Sequence, residues 1–75
     1  MGKVILIMVL LINGQNIQIP NNVNTVSQLL VHLNINEKIV IVEKNSQVVQ
    51  KKMHNSEILK DNDKIELVHF VGGGL

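Results

Sequence analysis

The residues at the C-terminal end of the chain are the first candidates for chemistry. Three consecutive glycines, Gly72 to Gly74, follow the strand-like run "HFV", and Leu75 closes the sequence. Because glycine has no Cβ, a glycine segment can bring its backbone close to another surface, at a cost in conformational entropy. Frayed termini are common, but fraying does not require three glycines directly after a core strand. The pattern predicts a tail that threads a narrow slot and presents its terminal carboxylate, as in a carrier or conjugated protein.

Few other side chains could do chemistry. His32, His54 and His69 are not spaced as metal ligands, for example at i and i+4 of one helix, and we interpret them as surface or structural residues. The chain has no Cys, which excludes a thiolate nucleophile and a zinc ribbon. We therefore predict no catalytic residue, no metal site and no bound cofactor. The pair Lys51-Lys52 is either a solvated edge or a contact for an acidic partner groove.

Composition restricts the class of protein further. The 75 residues suffice for one domain, 1–75, and the abundance of Ile, Val and Leu favours a core that contains strands. A net charge of +1, without Arg and with one aromatic residue, argues against nucleic-acid binding. The apolar run Val4–Ile12 is shorter than the about 20 residues of a membrane helix, and no cleavage pattern of a signal peptide follows it. We interpret it as a buried central strand of a cytoplasmic protein that makes no membrane contact.

The first half of the chain predicts a β-hairpin followed by a helix. Asn13-Gly14 is a strong hairpin signal between two apolar-rich segments. Thr25 and Gln28 fit a capping box, in which each side chain satisfies a free amide at the helix start. Asn34 can take the left-handed conformation that ends a helix. The predicted elements are strand Val4–Ile12, strand Gln15–Ile19 and a helix from about Val26 to Leu33.

The second half predicts three more strands, over residues 38–44, 47–50 and 64–71. The turn before the last strand, Asp61-Asn62-Asp63, contains an Asn that can adopt positive φ. Because the last strand is expected beside the first, the order β-β-α-β-β-β predicts an α+β fold, one helix packed on a mixed sheet of four to five strands. The predicted core comprises Ile17, Val26, Leu29, Leu30, Leu33, Ile39, Ile41, Ile65 and Leu67.

A single helix can cover only one face of such a sheet. The period-2 pattern of the last strand places Glu66, Val68 and Phe70 on the other face. Contiguous exposed apolar area usually marks an interaction site. We therefore predict a partner-binding surface beside the tail, formed by Val68, His69, Phe70 and Val71.

The order of elements and the glycine end resemble the ubiquitin-like β-grasp proteins. Within them, the segments "LLINGQNIQIP", "TVSQLLVHL", "IVIVEKNSQVV" and "LKDNDKIELVHFVGGG" are similar to the sulfur carriers of thiamine biosynthesis, the ThiS family of the MoaD/ThiS superfamily. The resemblance extends from about Met8 to Gly74. The first strand into Asn13-Gly14 and the D-x-D-x-I-E turn are its more specific parts.

The resemblance implies a protein co-substrate and not an enzyme. An E1-like, ThiF-like adenylyltransferase would use ATP to convert the C-terminal carboxylate into an acyl-adenylate. Sulfur from a donor such as a cysteine desulfurase would replace AMP and leave a thiocarboxylate on Gly74, with Gly72 and Gly73 as the rest of the tail. A ThiG-like thiazole synthase would receive the sulfur. We expect the carrier to be a monomer.

The chain departs from the family pattern at its ends. Family members usually begin near the position of Met8, so residues 1–7 are expected to extend the start of the first strand, and residues 71–75 to form a flexible glycine tail. Leu75 follows the glycines at which the family usually ends. Leu75 is removed by a peptidase, tolerated by the activating enzyme or introduced for expression, and we favour the last explanation. Three alternatives stay open: the small subunit of molybdopterin synthase, a ubiquitin-like protein modifier and a non-covalent β-grasp binding module.

Overall fold

The computed structural model describes residues 7–70 of the chain. Its strands and α-helix follow one another in the predicted order. The elements are β1 (Ile7–Ile12), β2 (Gln15–Pro20), α1 (Val26–His32), β3 (Val40–Lys44), β4 (Gln47–Val49) and β5 (Lys64–His69), with 3₁₀ turns at Glu37–Ile39 and Lys51–Met53. Residues 1–6 of the expected extension and residues 71–75 of the expected tail lie outside the described residues.

The strands form one mixed sheet in the order β2-β1-β5-β3-β4. β1 pairs antiparallel with β2 and parallel with β5, and β3 lies antiparallel to both β5 and β4. The prediction that the last strand lies beside the first is therefore confirmed. Asn13 and Gly14 join β1 to β2 with φ of 48° and 83°, the positive values that a tight turn needs to match strand twist.

The helix α1 begins at the predicted capping box. Thr25 Oγ1 accepts a hydrogen bond from the Gln28 backbone amide at 3.1 Å, and Gln28 Oε1 accepts one from the Thr25 amide at 3.2 Å. Asn34, with φ of 60°, follows the C-cap residue Leu33. A helix of seven residues is unstable alone, so its packing on the sheet stabilises it. No helix within residues 7–70 is long and apolar enough to cross a membrane.

The core lies between α1 and one face of the sheet, the inner face. Among the predicted core residues, Ile17 and Leu33 pack at its edge and five others are buried. The buried apolar residues are Met8, Leu10, Ile12, Ile19, Val23, Val26, Leu29, Leu30, Val40, Val42, Val49, Leu59, Ile65 and Leu67. The apolar stripe of α1 and the alternation of β5 therefore predicted five of these residues correctly, namely Val26, Leu29, Leu30, Ile65 and Leu67.

The predicted core is wrong at two positions, Ile39 and Ile41. Ile39 and Ile41 are 44% and 41% exposed, while Val40 and Val42 take the inner positions of β3. Every residue from 39 to 42 is β-branched and apolar, so composition alone did not reveal which alternate set faces inward. Glu43 shares the face of Ile41, because side chains alternate with a period of two. A shift of one residue exchanges the two faces of a strand, and that shift is the error.

Candidate functional site

The sheet face that points away from α1, the outer face, is the largest candidate surface. It is formed by alternate residues of the strands, since successive side chains point to opposite sides. Its residues on four strands are Ile7, Val9 and Leu11 of β1, Ile41 and Glu43 of β3, Val48 of β4, and Lys64, Glu66 and Val68 of β5. Its apolar side chains are exposed or half-buried, so a surface of this size marks an interaction site.

Two of the predicted partner-binding residues, Val68 and Phe70, are exposed at the end of β5. Val68 is 48% exposed and lies directly opposite Ile41 in the antiparallel register. Phe70 is 40% exposed, and its backbone amide donates to the Ile39 carbonyl at 3.1 Å. The ammonium nitrogen of Lys51 lies 6.0 Å from the centroid of the Phe70 ring, within reach of a cation–π attraction. The structure thus holds an aromatic side chain at the point where the tail begins.

Of the remaining predicted site residues, the structure describes only His69. His69 is exposed at the end of β5, opposite Val40. Phe70 is the last described residue, so Val71 and the glycines Gly72 to Gly74 lie outside the described residues. Their predicted roles in docking and sulfur transfer stay predictions.

The side chain of Asn13 forms two hydrogen bonds to β5, the strand that leads to the tail; we call this contact the Asn13 clamp. Its Nδ2 donates to the Leu67 carbonyl at 3.1 Å, and its Oδ1 accepts from the Leu67 amide at 2.7 Å. The parallel pairing of β1 and β5 reaches Ile12 and Ile65, and the carboxamide of Asn13 continues it past that point. The sequence indicated Asn13 as a turn residue and did not indicate this second role.

The turn Asp61-Asn62-Asp63 ties the start of β5 to its neighbours. Asp61 Oδ1 accepts from the Val9 amide and the Asn62 amide donates to the Val9 carbonyl, both at 2.7 Å. Asp63 Oδ1 accepts from Nδ2 of Asn45 at 2.9 Å, which reaches the turn between β3 and β4. Asn62 has φ of 71°, as predicted. The two carboxylates of this motif are therefore structural.

The other two histidines are a buried residue, His54, and a surface residue, His32. His54 is buried, with Nδ1 2.6 Å from Glu37 Oε2 and Nε2 3.0 Å from the Val49 carbonyl oxygen. These contacts join the Glu37–Ile39 turn to β4, so the role of His54 is structural. His32 is exposed at the end of α1. No three His, Asp or Glu side chains gather as a metal site in the part of the chain that the structure describes.

Comparison with known proteins places the chain. The family model of the ThiS family matches residues 10–74. The chain belongs to the ThiS family. The match includes Gly72 to Gly74 and excludes Leu75. The sulfur carrier protein ThiS of Bacillus subtilis (strain 168) is 40% identical over 63 residues, which cover 84% of this chain and 96% of that protein.

A solved structure and a longer relative extend the comparison beyond the ThiS family model. The crystal structure of the thiamine biosynthesis protein ThiS from Geobacter metallireducens has a TM-score of 0.77 at 30% identity, over 89% of this chain and all of that one. This match confirms the predicted ubiquitin-like β-grasp fold. A thiazole synthase of Paramagnetospirillum magneticum is 37% identical over 67 residues, 89% of this chain but 20% of that protein.

The outer face of this ThiS-family member contains features that the sequence did not reveal. Ile41, expected in the core, faces outward beside Val68. Glu43 lies directly opposite Glu66, a pairing that depends on the register of two strands distant in sequence. Glu43 itself was the available signal, because a charged side chain marks its face of β3 as the outer one.

Proposed function

We propose that this protein is a sulfur carrier of thiamine biosynthesis whose C-terminal glycine, Gly74, holds sulfur as a thiocarboxylate. Membership of the ThiS family over residues 10–74, including Gly72 to Gly74, is the observation that carries the proposal. The 40% identity to a protein named sulfur carrier protein ThiS supports it. The similarity to the thiamine biosynthesis protein ThiS of Geobacter metallireducens supports the pathway, and the glycine tail supplies the reacting group.

The tail needs a partner for activation, because a carboxylate is a poor electrophile. In the proposed sequence, a ThiF-like adenylyltransferase transfers AMP from ATP to Gly74 and releases pyrophosphate. A persulfide, supplied by a donor such as a cysteine desulfurase, attacks the acyl carbon and AMP leaves. A thiol then cleaves the sulfur–sulfur bond, leaving the thiocarboxylate on Gly74 and a disulfide on the donor side. The carrier has no Cys and so adds no thiol to the reaction, and the need for ATP is consistent with the cytoplasmic location that we propose.

Thiazole synthase, a ThiG-like enzyme, is the proposed acceptor of the sulfur. The thiazole synthase of Paramagnetospirillum magneticum contains a segment similar to 89% of this chain, within 20% of its own length. In that protein a carrier-like segment and the synthase belong to one polypeptide. Such a fusion supports a direct contact between the separate proteins.

The outer face is the proposed docking surface, with Val68 and Phe70 at the end of β5 as its main contacts and His69 and Val71 as further contacts next to the glycines. Val68→Asp and Phe70→Asp place a charge on exposed positions, so the fold should survive while binding to the activating enzyme and the synthase weakens. Val31→Asp is the matched control, because Val31 is 79% exposed on α1. Unchanged affinity of the Val68 and Phe70 variants for both enzymes would contradict this docking surface.

Intact mass tests the tail chemistry directly. The chain is prepared with three ends, at Gly72, Gly74 and Leu75, and each is incubated with the ThiF-like enzyme, ATP and a cysteine desulfurase with its substrate. The Gly74 chain should exchange one oxygen for one sulfur, while the Gly72 chain should stay unchanged. The Leu75 chain should convert little, because a branched side chain must fit where glycine has none. Failure of the Gly74 chain to gain sulfur would refute the proposed function.

A further inference from the structure

Two carboxylates face each other in the middle of the outer face. Glu43 of β3 and Glu66 of β5 are directly opposite in the antiparallel register, and both are half-buried. Side chains opposite each other in a sheet have Cβ atoms about 4.5–5.5 Å apart, and like charges there destabilise the sheet. The fold therefore retains an electrostatic repulsion between Glu66 on the central strand, β5, and Glu43 on the neighbouring strand, β3.

The other four of the six acidic residues all have partners within the fold. Those partners are His54 for Glu37, Lys44 for Glu57, the Val9 amide for Asp61, and Asn45 and the Lys60 amide for Asp63. Within residues 7–70, the side chains of Glu43 and Glu66 accept no hydrogen bond and join no ion pair. Lys64, which shares their face, pairs with neither. The contacts among residues 7–70 thus give no reason for this acidic pair.

Apolar side chains lie beside the pair on β4 and next to it along β3 and β5. Val48 lies opposite Glu43 on the β4 side, and the pair Ile41 and Val68 lies one step further along β3 and β5. All three are exposed. A partner that covered this surface with aliphatic groups alone would bury two unpaired carboxylates, which is strongly unfavourable. A partner that covers this surface must therefore contribute a cationic group that pairs with Glu43 and Glu66.

We propose that the enzymes acting on the tail recognise the outer face by inserting one cationic side chain between Glu43 and Glu66, with aliphatic side chains packed on Ile41 and Val68. A guanidinium suits the site best, because its planar fork of donors can bond two carboxylates at once. A second copy of this chain is a poor occupant, since a two-fold contact would bring two acidic pairs together. This inference rests on the proposed function and specifies the partner chemistry of its docking surface.

Neutralising the pair tests the inference. The affinities of wild type and the Glu43→Gln/Glu66→Gln double variant are measured by calorimetry for the ThiF-like enzyme and for the thiazole synthase of the same organism. The variant should bind at least one of them about tenfold or more weakly, with a shallower dependence on salt. Its thermal midpoint should equal or exceed that of wild type, because a like-charge pair has been removed. Glu57→Gln, which removes a charge from the segment between β4 and β5 where Glu57 pairs with Lys44, should leave both affinities unchanged.

Several results would overturn the inference. Equal affinity of wild type and the double variant for both enzymes would show that no cation uses the pair. A lower thermal midpoint of the double variant would show that the pair serves the fold. If wild type gains sulfur normally while the double variant also binds normally, this inference alone fails. If wild type binds neither enzyme and gains no sulfur, the proposed function fails with it.

Discussion

Replacing Asn13 by Asp tests whether one side-chain amide holds the central strand in place. Asp has nearly the same shape as Asn, and both tolerate the left-handed backbone at φ of 48°. A carboxylate can still accept from the Leu67 amide, as Oδ1 does at 2.7 Å. It cannot donate to the Leu67 carbonyl, which now receives a bond of 3.1 Å from Nδ2. The substitution therefore removes one donor and leaves the surroundings intact.

The expected loss of unfolding free energy for Asn13→Asp is about 2–3 kcal/mol. A neutral hydrogen bond contributes about 0.5–1.5 kcal/mol net, and a buried partner left unsatisfied costs about 1–3 kcal/mol. Leu67 is buried, and its carbonyl would face a carboxylate oxygen instead of a donor. Asn13→Gly keeps the positive φ and removes both bonds, so we expect a loss of about 1–3 kcal/mol. Either loss is a large fraction of the about 5–15 kcal/mol that stabilises a native protein.

Urea denaturation followed by circular dichroism measures this loss, since the chain has no Trp or Tyr for fluorescence. With a slope near the low end of the usual about 1–3 kcal/mol/M, a loss of about 2 kcal/mol lowers the midpoint by roughly 1–2 M. Asn55→Asp adds the same charge at an exposed position and should leave the midpoint nearly unchanged. Losses below about 0.5 kcal/mol for both Asn13 variants would show that water replaces the carboxamide and would refute the clamp.

Four further substitutions test the packing and the helix start. Leu30→Ala should lower the unfolding free energy by about 2–5 kcal/mol, because Leu30 is 1% exposed; a urea melt showing less than about 1 kcal/mol would place it outside the core. Val42→Ala should cost more than about 1.5 kcal/mol and Ile41→Ala less than about 1 kcal/mol, and the opposite ranking in the same melts would restore Ile41 to the core. Thr25→Ala should cost about 0.5–2 kcal/mol by removing the cap bond to Gln28, with faster amide exchange in α1; unchanged exchange would contradict a stabilising cap.

Features that depend on neighbouring residues were predictable from the sequence. The Asn13-Gly14 turn, the capping box of Thr25 and Gln28, and the positive φ of Asn62 are each decided by a few adjacent side chains. The phase of β3 was not predictable from apolar character, since its centre is uniformly β-branched. Tertiary packing decided it, and it turned Ile41 outward.

Features that join distant strands required the structure. Asn13 and Leu67 are 54 residues apart, and nothing near Asn13 in the sequence shows that its carboxamide faces β5. The opposition of Glu43 and Glu66 likewise depends on the register of β3 against β5. Sequence resemblance indicated the ThiS family and the tail, but it did not indicate which charges share a surface.

The two faces of the sheet differ in how their polar groups are satisfied, and this difference bears on function. On the inner side, Asp63 and His54 are buried and fully hydrogen-bonded, as a stable core requires. On the outer side, Glu43 and Glu66 oppose each other among exposed aliphatic groups. A sheet selected for stability alone would not retain like charges directly opposite each other. Inner-face substitutions should therefore act on unfolding and outer-face substitutions on partner binding, because a cation from a partner would relieve the repulsion within the acidic pair.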